Sequence, residues 1–233
     1  MAKKRSRAAP TTQTEKAFAA IKRGIVRGDI AEGTFLSEEE IGSKYGVGRT
    51  PFREACNRLV HEGLIESVAR RGYRVPELSF HGVRDGFELR LILESAVAQL
   101  AAVRATEADI QALEQLARRP GTTLEKLVEA NAAFHLRLAQ VSRNSEIVRV
   151  LSSVLERAER VMYIELRYSR FDAEEFQLLH EPIVEALRQR DPAAARRAVL
   201  RDIEQAQSAM LGRAVPGEGL ETSLASLVDH AKG

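Results

Sequence analysis

One cysteine in 233 residues leaves no partner for an internal disulfide, and a reducing compartment is the expectation. No apolar run approaches the roughly 20 residues of a membrane helix. The opening MAKKRSR is basic, but no apolar stretch follows it, so no secretory leader is expected and the cytoplasm is the default location. Past Ser79 the strand-like alternation of apolar and polar residues is missing. So are a glycine loop of the kind that cradles phosphate and any nucleophile constellation. Net charge is only +2, but it is unevenly spread. Residues 1–75 carry 15 Lys and Arg against 9 Asp and Glu, a net +6; the remainder carries 20 against 24, a net −4. A basic front on an acidic body is the electrostatic footprint of a nucleic-acid reader joined to a second function.

The segment GVGRTPFREACNRLVHEGLI (46–65) reads as a turn followed by a helix whose first turns present Arg49, Thr50 and Arg53. Arginine and hydroxyl donors at the N-terminal end of a helix suit base edges and phosphates in the DNA major groove. The following IESVARRGYRV (65–75) reads as two short strands joined at Arg70, Arg71 and Gly72. Helix plus basic hairpin predicts a winged helix-turn-helix. Two helices should precede it. Thr14 is the expected cap of the first, which runs to about Arg27. Ser37 with Glu40 forms a capping-box signal for the second, which Gly46 ends. The predicted organisation is a disordered basic tail over 1–12, the winged helix over 13–76, an all-helical domain over 77–211 and a mobile tail over 212–233.

Within the second domain, apolar residues recur at helical spacing over 85–104 (Phe87, Leu91, Val97, Leu100, Ala101). Thr106 should cap a helix to Arg118; the next should run over Thr123 to Val141, followed by one from Asn144 to about Tyr168. Asp172 with Glu175 should start a helix reaching Arg190, which Pro182 should kink or restart. Asp191 and Pro192 open the last, to about Leu211, and the tail has room for a short helix from Leu224 to His230. The predicted fold class is mainly α: a winged helix-turn-helix of three helices and a hairpin, then a bundle of six or seven helices.

Two sets of segments carry a family resemblance. The front set is GTFLSE (33–38), GVGRTPFREA (46–55), Glu62, Gly63 and Leu64, then Arg71 and Gly72. The rear set is ELRLILE (88–94), NAAFHLRL (131–138), Arg143 with Asn144, and His180 eleven residues before Asp191. Together they make the chain resemble a GntR-family transcriptional regulator of the FadR subfamily, with an FCD-type effector domain, from Phe18 to about Leu211. The resemblance implies that Arg49 and Arg53 approach bases or phosphates, that Thr50 meets a phosphate, and that Gly72, beside Arg71, lies at the wing tip in the minor groove. Gly48 stands where the family usually caps the recognition helix with serine, a change costing only a few tenths of a kcal/mol. Glu39 replaces an arginine of many relatives, so it should face solvent or accept from a cytosine amino group.

In the rear domain the resemblance implies a metal site at Asn131, His135, His180 and Asp202. The family pattern of one carboxylate and three imidazoles becomes two imidazoles, one amide and one carboxylate. Net ligand charge remains −1, and the set suits Zn²⁺, Ni²⁺, Mn²⁺ or Fe²⁺. The alternative for the two histidines is a hydrogen-bonded place in the core. Arg90 matches an arginine that the family points into its effector cavity, where a guanidinium fork fits a carboxylate; the alternative is a salt bridge to Glu94. Asn144, Tyr163 and Arg167 are secondary cavity candidates. The implied function is a homodimeric regulator, a repressor by expectation, that binds a palindromic operator and answers to a small organic acid. The competing reading is a metal-dependent enzyme tethered to DNA, since two histidines and a carboxylate with open positions can activate water or oxygen.

Overall fold

The computed structural model describes residues 12–118, 123–168 and 180–211. Residues 1–11 of the predicted 1–12 tail, the predicted tail over 212–233 and the predicted helix start at Asp172 lie outside the described residues; Thr12 is described and belongs to the first helix as its cap. The chain divides into two compact units, Met1–Glu77 and Leu78–Gly233. It is mainly helical, with nine helices and one two-stranded sheet among the described residues.

The front unit is α1 (Gln13–Val26), α2 (Glu38–Tyr45), α3 (Arg49–His61), β1 (Glu66–Val68) and β2 (Gly72–Arg74). Thr12, not the expected Thr14, caps α1. Its side chain accepts from the Glu15 amide while Glu15 reaches back to the Thr12 amide. Glu15 completes a box only with the residue three before it, and the Thr14 hydroxyl instead donates to Glu54 at 2.7 Å. Ser37 caps α2 by accepting from the Glu40 amide, and Gly46 ends it at φ 65°, a left-handed value that glycine adopts without cost. Ala17, Ile21 and Ile25 of α1 pack with Phe52, Ala55, Cys56 and Leu59 of α3. Burial of that α3 face turns Arg49, Thr50 and Arg53 outward. The hairpin pairs Glu66 with Arg74, Ser67 with Tyr73 and Val68 with Gly72.

The second unit holds α4 (Phe80–Arg104), α5 (Glu107–Ala117), α6 (Leu124–Val141), α7 (Ser145–Tyr168), α8 (His180–Arg188) and α9 (Pro192–Leu211). Helix α4 is central, packing on α6, α7, α8 and α9. Its buried stripe runs Val83, Phe87, Arg90, Glu94, Val97, Ala101, so two charged residues occupy core positions. Pro182 falls in the first turn of α8 as described, where its missing N–H has no intrahelical partner to lose. Asp191 caps α9, accepting from the amides of Ala193 and Ala194 at 2.9 Å each.

Asp109 ties three parts of this unit together. It closes a capping box with Thr106 and accepts from Arg137 at 2.7 Å and Arg143 at 2.6 Å. Burial alone raises a carboxyl pKa, but the Thr106 bonds and the two guanidinium charges overcome it and hold Asp109 below the usual aspartate value. A depressed folded pKa stabilises above the unfolded value, about 3.9, and the gain is lost as pH falls through the folded one. Asp109→Ala is therefore expected to cost about 1–3 kcal/mol at pH 7, discounted because both arginines are partly exposed. In urea unfolding the gap to wild type should shrink at pH 3; an equal gap at both pH values contradicts this assignment.

Candidate functional site

The front unit offers an exposed basic face. The Arg49 side chain is 69% exposed with its guanidinium 3.5 Å from Glu38, and Thr50 and Arg53 are exposed one helical turn around it. The hairpin is fixed to this helix by the Tyr73 hydroxyl, which donates to Asn57 Oδ1 at 2.9 Å, and by an edge contact between Tyr73 and Phe52. Gly72 has φ 96° with open space where a Cβ would stand. The Arg71 guanidinium lies over the Phe35 ring, 4.2 Å from its centroid. Glu39 is exposed in the first turn of α2. Arg70, which the sequence assigned only to the strand connection, is an exposed residue at φ 62°. One hint in the sequence was the doubled arginine ahead of Gly72.

In the second unit the four residues of the implied metal set converge, all buried: Asn131 and His135 from α6, His180 from the start of α8, Asp202 from α9. His135 donates from Nδ1 to Glu94 Oε2 at 2.5 Å, which aims Nε2 at Asp202 Oδ2, 3.2 Å away. That approach lacks the alignment of a hydrogen bond, so His135 Nε2 is a buried nitrogen without a hydrogen-bond partner among the described residues. His180 Nε2 lies 3.2 Å from Asn131 Oδ1 and 3.9 Å from Asp202 Oδ1, and its ring stacks on Phe134. One donor atom each from His135, His180 and Asp202 falls within 4.8 Å of the others.

The electrostatics follow from this packing. Burial would raise the Glu94 pKa, but the Arg90 and His135 charges beside it bring it down to about 2. Burial would lower that of His135, yet Glu94 and Asp202 on either side raise it to about 9. Burial, reinforced by the His135 charge, takes His180 down to about 3 and leaves it a neutral imidazole. Asp202 falls to about 2 against the burial effect, held ionised chiefly by the bond and charge of His135. An ionised carboxylate, a neutral imidazole and His135 Nε2, which must give up its proton to bind a cation, face one point and are the donor types that suit a divalent transition metal. Glu94, buried and bonded to His135 Nδ1, holds the orientation of that ring, the part an outer-sphere carboxylate plays where a histidine binds metal. Sequence reading named it only as a possible partner of Arg90. The overlooked signal was its place on the buried stripe of α4, where an unpaired carboxylate would be very costly.

Arg90 is buried and donates from Nε to Glu94 Oε1 at 2.7 Å, as the salt-bridge alternative anticipated. Its two terminal nitrogens have no hydrogen-bond partner among the described residues. Tyr163 is buried, its hydroxyl 3.5 Å from the Glu125 carbonyl oxygen. Asn144 caps α7: its Oδ1 accepts from the amides of Glu146 and Ile147. The Arg167 side chain lies outside the described residues.

Comparison with known proteins bears on both units. The family described as "Bacterial regulatory proteins, gntR family" matches residues 13–75, and the "FCD domain" family matches residues 85–205. The chain is 32% identical over 167 residues to the Nta operon transcriptional regulator of Aminobacter aminovorans, covering 70% of this chain and 79% of that one. It is 30% identical over 197 residues to the HTH-type transcriptional repressor RspR of Escherichia coli (strain K12), covering 82% and 86%. Among solved structures, E. coli McbR/YncC shares the fold at a TM-score of 0.76 and 19% identity, covering 88% of this chain and 99% of that one.

Proposed function

The chain belongs to the gntR family of bacterial regulatory proteins and carries an FCD domain, so it is a DNA-binding transcriptional regulator and not an enzyme; on that premise we propose that it is a metal-centred sensor of a small organic acid. It binds a palindromic operator as a homodimer and acts in the cytoplasm as a repressor. One winged helix covers one half-site, so a two-fold dimer supplies both affinity and spacing. The observation that carries the sensor reading is the orphaned Nε2 of His135, facing Asp202 and His180 inside a closed polar cluster. His135, His180 and Asp202 would hold the ion, with Asn131 as a fourth donor, and the ion would supply a Lewis-acid anchor for a carboxylate. Arg90 would hold the same carboxylate through its two terminal nitrogens, while Glu94 keeps both Arg90 and His135 in place. Arg49, Thr50, Arg53, Arg71 and Gly72 form the operator-reading set. Tyr163 stands as a wall of the acid's cavity. The acid changes operator affinity by binding one dimer state better than the other.

Selection of binding sites from random duplexes tests this reading. It should return inverted repeats whose half-site centres lie one helical turn apart, bound by two chains, with affinity falling steeply as salt rises. Recovery of single half-sites bound by one chain contradicts the dimer, and sequence-independent binding contradicts the operator.

A further inference from the structure

Helices α1 and α3 meet through three contacts that share one offset along the chain. The Thr14 hydroxyl donates to Glu54 Oε2 at 2.7 Å, the Arg58 guanidinium lies 4.0 Å from the centroid of the Phe18 ring, and Lys22 pairs with Glu62 at 2.9 Å. Each advance of one turn along α1 is matched by one turn along α3, so the two helices run parallel and side by side. The start of α1, capped by Thr12, is therefore level with the first half of α3, whose opening residue is Arg49. The chain ahead of Thr12 enters at that end, and it carries Lys3, Lys4, Arg5 and Arg7 with no acidic residue. Charge is concentrated there. Residues 1–75 hold 15 Lys and Arg against 9 Asp and Glu; without those four, residues 12–75 hold 11 against 9, so the net +6 becomes +2. Several of the eleven are engaged: Lys22 and Arg74 pair with Glu62 and Glu66, and Arg49 stands 3.5 Å from Glu38. Glu38, Glu39 and Glu40 also crowd the first turn of α2. Phosphate binding draws on positive charge, and the folded winged helix has little to spare.

We propose that residues 3–7 are a phosphate-binding arm, which α1 delivers to the DNA backbone beside the groove that α3 occupies. The arm supplies the sequence-independent affinity that the nearly neutral winged helix lacks. This rests on the reading of α3 as the helix that meets DNA through Arg49, Thr50 and Arg53. Arg7 is five residues from Thr12 and Lys3 is nine. Those lengths of chain span at most about 18 and 32 Å, enough to pass the roughly 12 Å width of a major groove and reach a phosphate strand. Lysine and arginine on phosphates displace condensed counterions, so the arm sets affinity and its salt dependence, while α3 sets sequence choice.

The test compares wild type with a full-length variant carrying Lys3→Gln, Lys4→Gln, Arg5→Gln and Arg7→Gln, on a selected operator and on an unrelated duplex. The variant should bind both duplexes about 10- to 100-fold more weakly at physiological salt, by the same factor on each. Its plot of log affinity against log salt should be shallower by about two or more, with about seven the ceiling for two arms of four charges. Its melting temperature should match wild type, because Thr12 and the helix it caps are untouched. Position is read separately by coupling iron-EDTA to an Ala2→Cys protein. Cys56 is buried, and burial pushes its thiol pKa up to about 12, so it stays unlabelled. Backbone cuts should cluster beside each half-site. Unchanged affinity and salt slope would overturn the proposal, as would cuts spread evenly along the operator. A loss confined to the operator would make the arm a base reader, and a lowered melting temperature would assign its charges to the stability of the front unit; either overturns it. If wild type selected no operator while the variant still bound every duplex more weakly, the operator reading would fail and the arm would stand.

Discussion

Glu94→Ala is expected to lower stability by about 3–5 kcal/mol, because it removes the only described carboxylate on Arg90 and strips the Nδ1 partner from His135. The glutamate is completely buried, and both groups it serves are nearly so. Removal of one member of a buried charge set leaves the others unpaired in a low-dielectric interior, which costs far more than the set contributes net. Urea unfolding should show the midpoint shift with little change in slope. Glu94→Gln should recover only part of the loss, since an amide keeps the shape but not the charge. Arg90→Met combined with Glu94→Leu should be more stable than Glu94→Ala alone, because it deletes the stranded cation. A wild-type midpoint for Glu94→Ala would mean that the charges are reached by water and that the cluster is not a closed site.

On the DNA side, Arg49→Ala and Arg53→Ala should each weaken operator binding by about 1–3 kcal/mol, the range for loss of a good base contact. At about 1.4 kcal/mol per factor of ten, each variant loses roughly 5- to 150-fold in affinity. Both side chains are exposed and neither fills the core of the front unit, so melting temperatures should match wild type. The two roles an arginine can play separate by sequence dependence. If Arg49 reads a base, Arg49→Ala relaxes preference at one position; if it holds a phosphate, affinity drops uniformly and the salt slope falls by about one. Anisotropy titrations at two salt concentrations decide between them. Unchanged affinity in both variants would remove α3 as the reading helix.

Much of this was legible in the amino-acid sequence, for identifiable reasons. The winged helix is written in short-range chemistry: Ser37 three residues before Glu40, Gly46 at a left-handed helix end, Gly63 after α3, and a basic connection before Gly72. Asn131 and His135 were readable as one face because helical spacing alone places residues four apart together. Their meeting with His180 and Asp202 was not derivable from spacing, since it depends on how α8 and α9 pack on α4 and α6. The misreadings have local causes. Thr12 and Thr14 are equal as side chains, and only the position of Glu15 decides between them. Glu94 was underestimated because its partners lie on two helices, one of them 41 residues away. Arg70 escaped notice because a residue's φ is invisible in sequence.

The metal content of wild-type protein and of His135→Ala, both purified without chelator or histidine tag, tests the central claim most directly. The account predicts close to one equivalent of a divalent transition metal per chain in wild type and none in His135→Ala, with Asn131→Asp binding more tightly than wild type because a carboxylate joins the donors. A wild-type protein that stays metal-free after incubation with Zn²⁺, Ni²⁺, Mn²⁺ and Fe²⁺ would contradict it. His135, His180 and Asp202 would then be a hydrogen-bonded core, and any acid that the protein senses would be held by Arg90 without an ion.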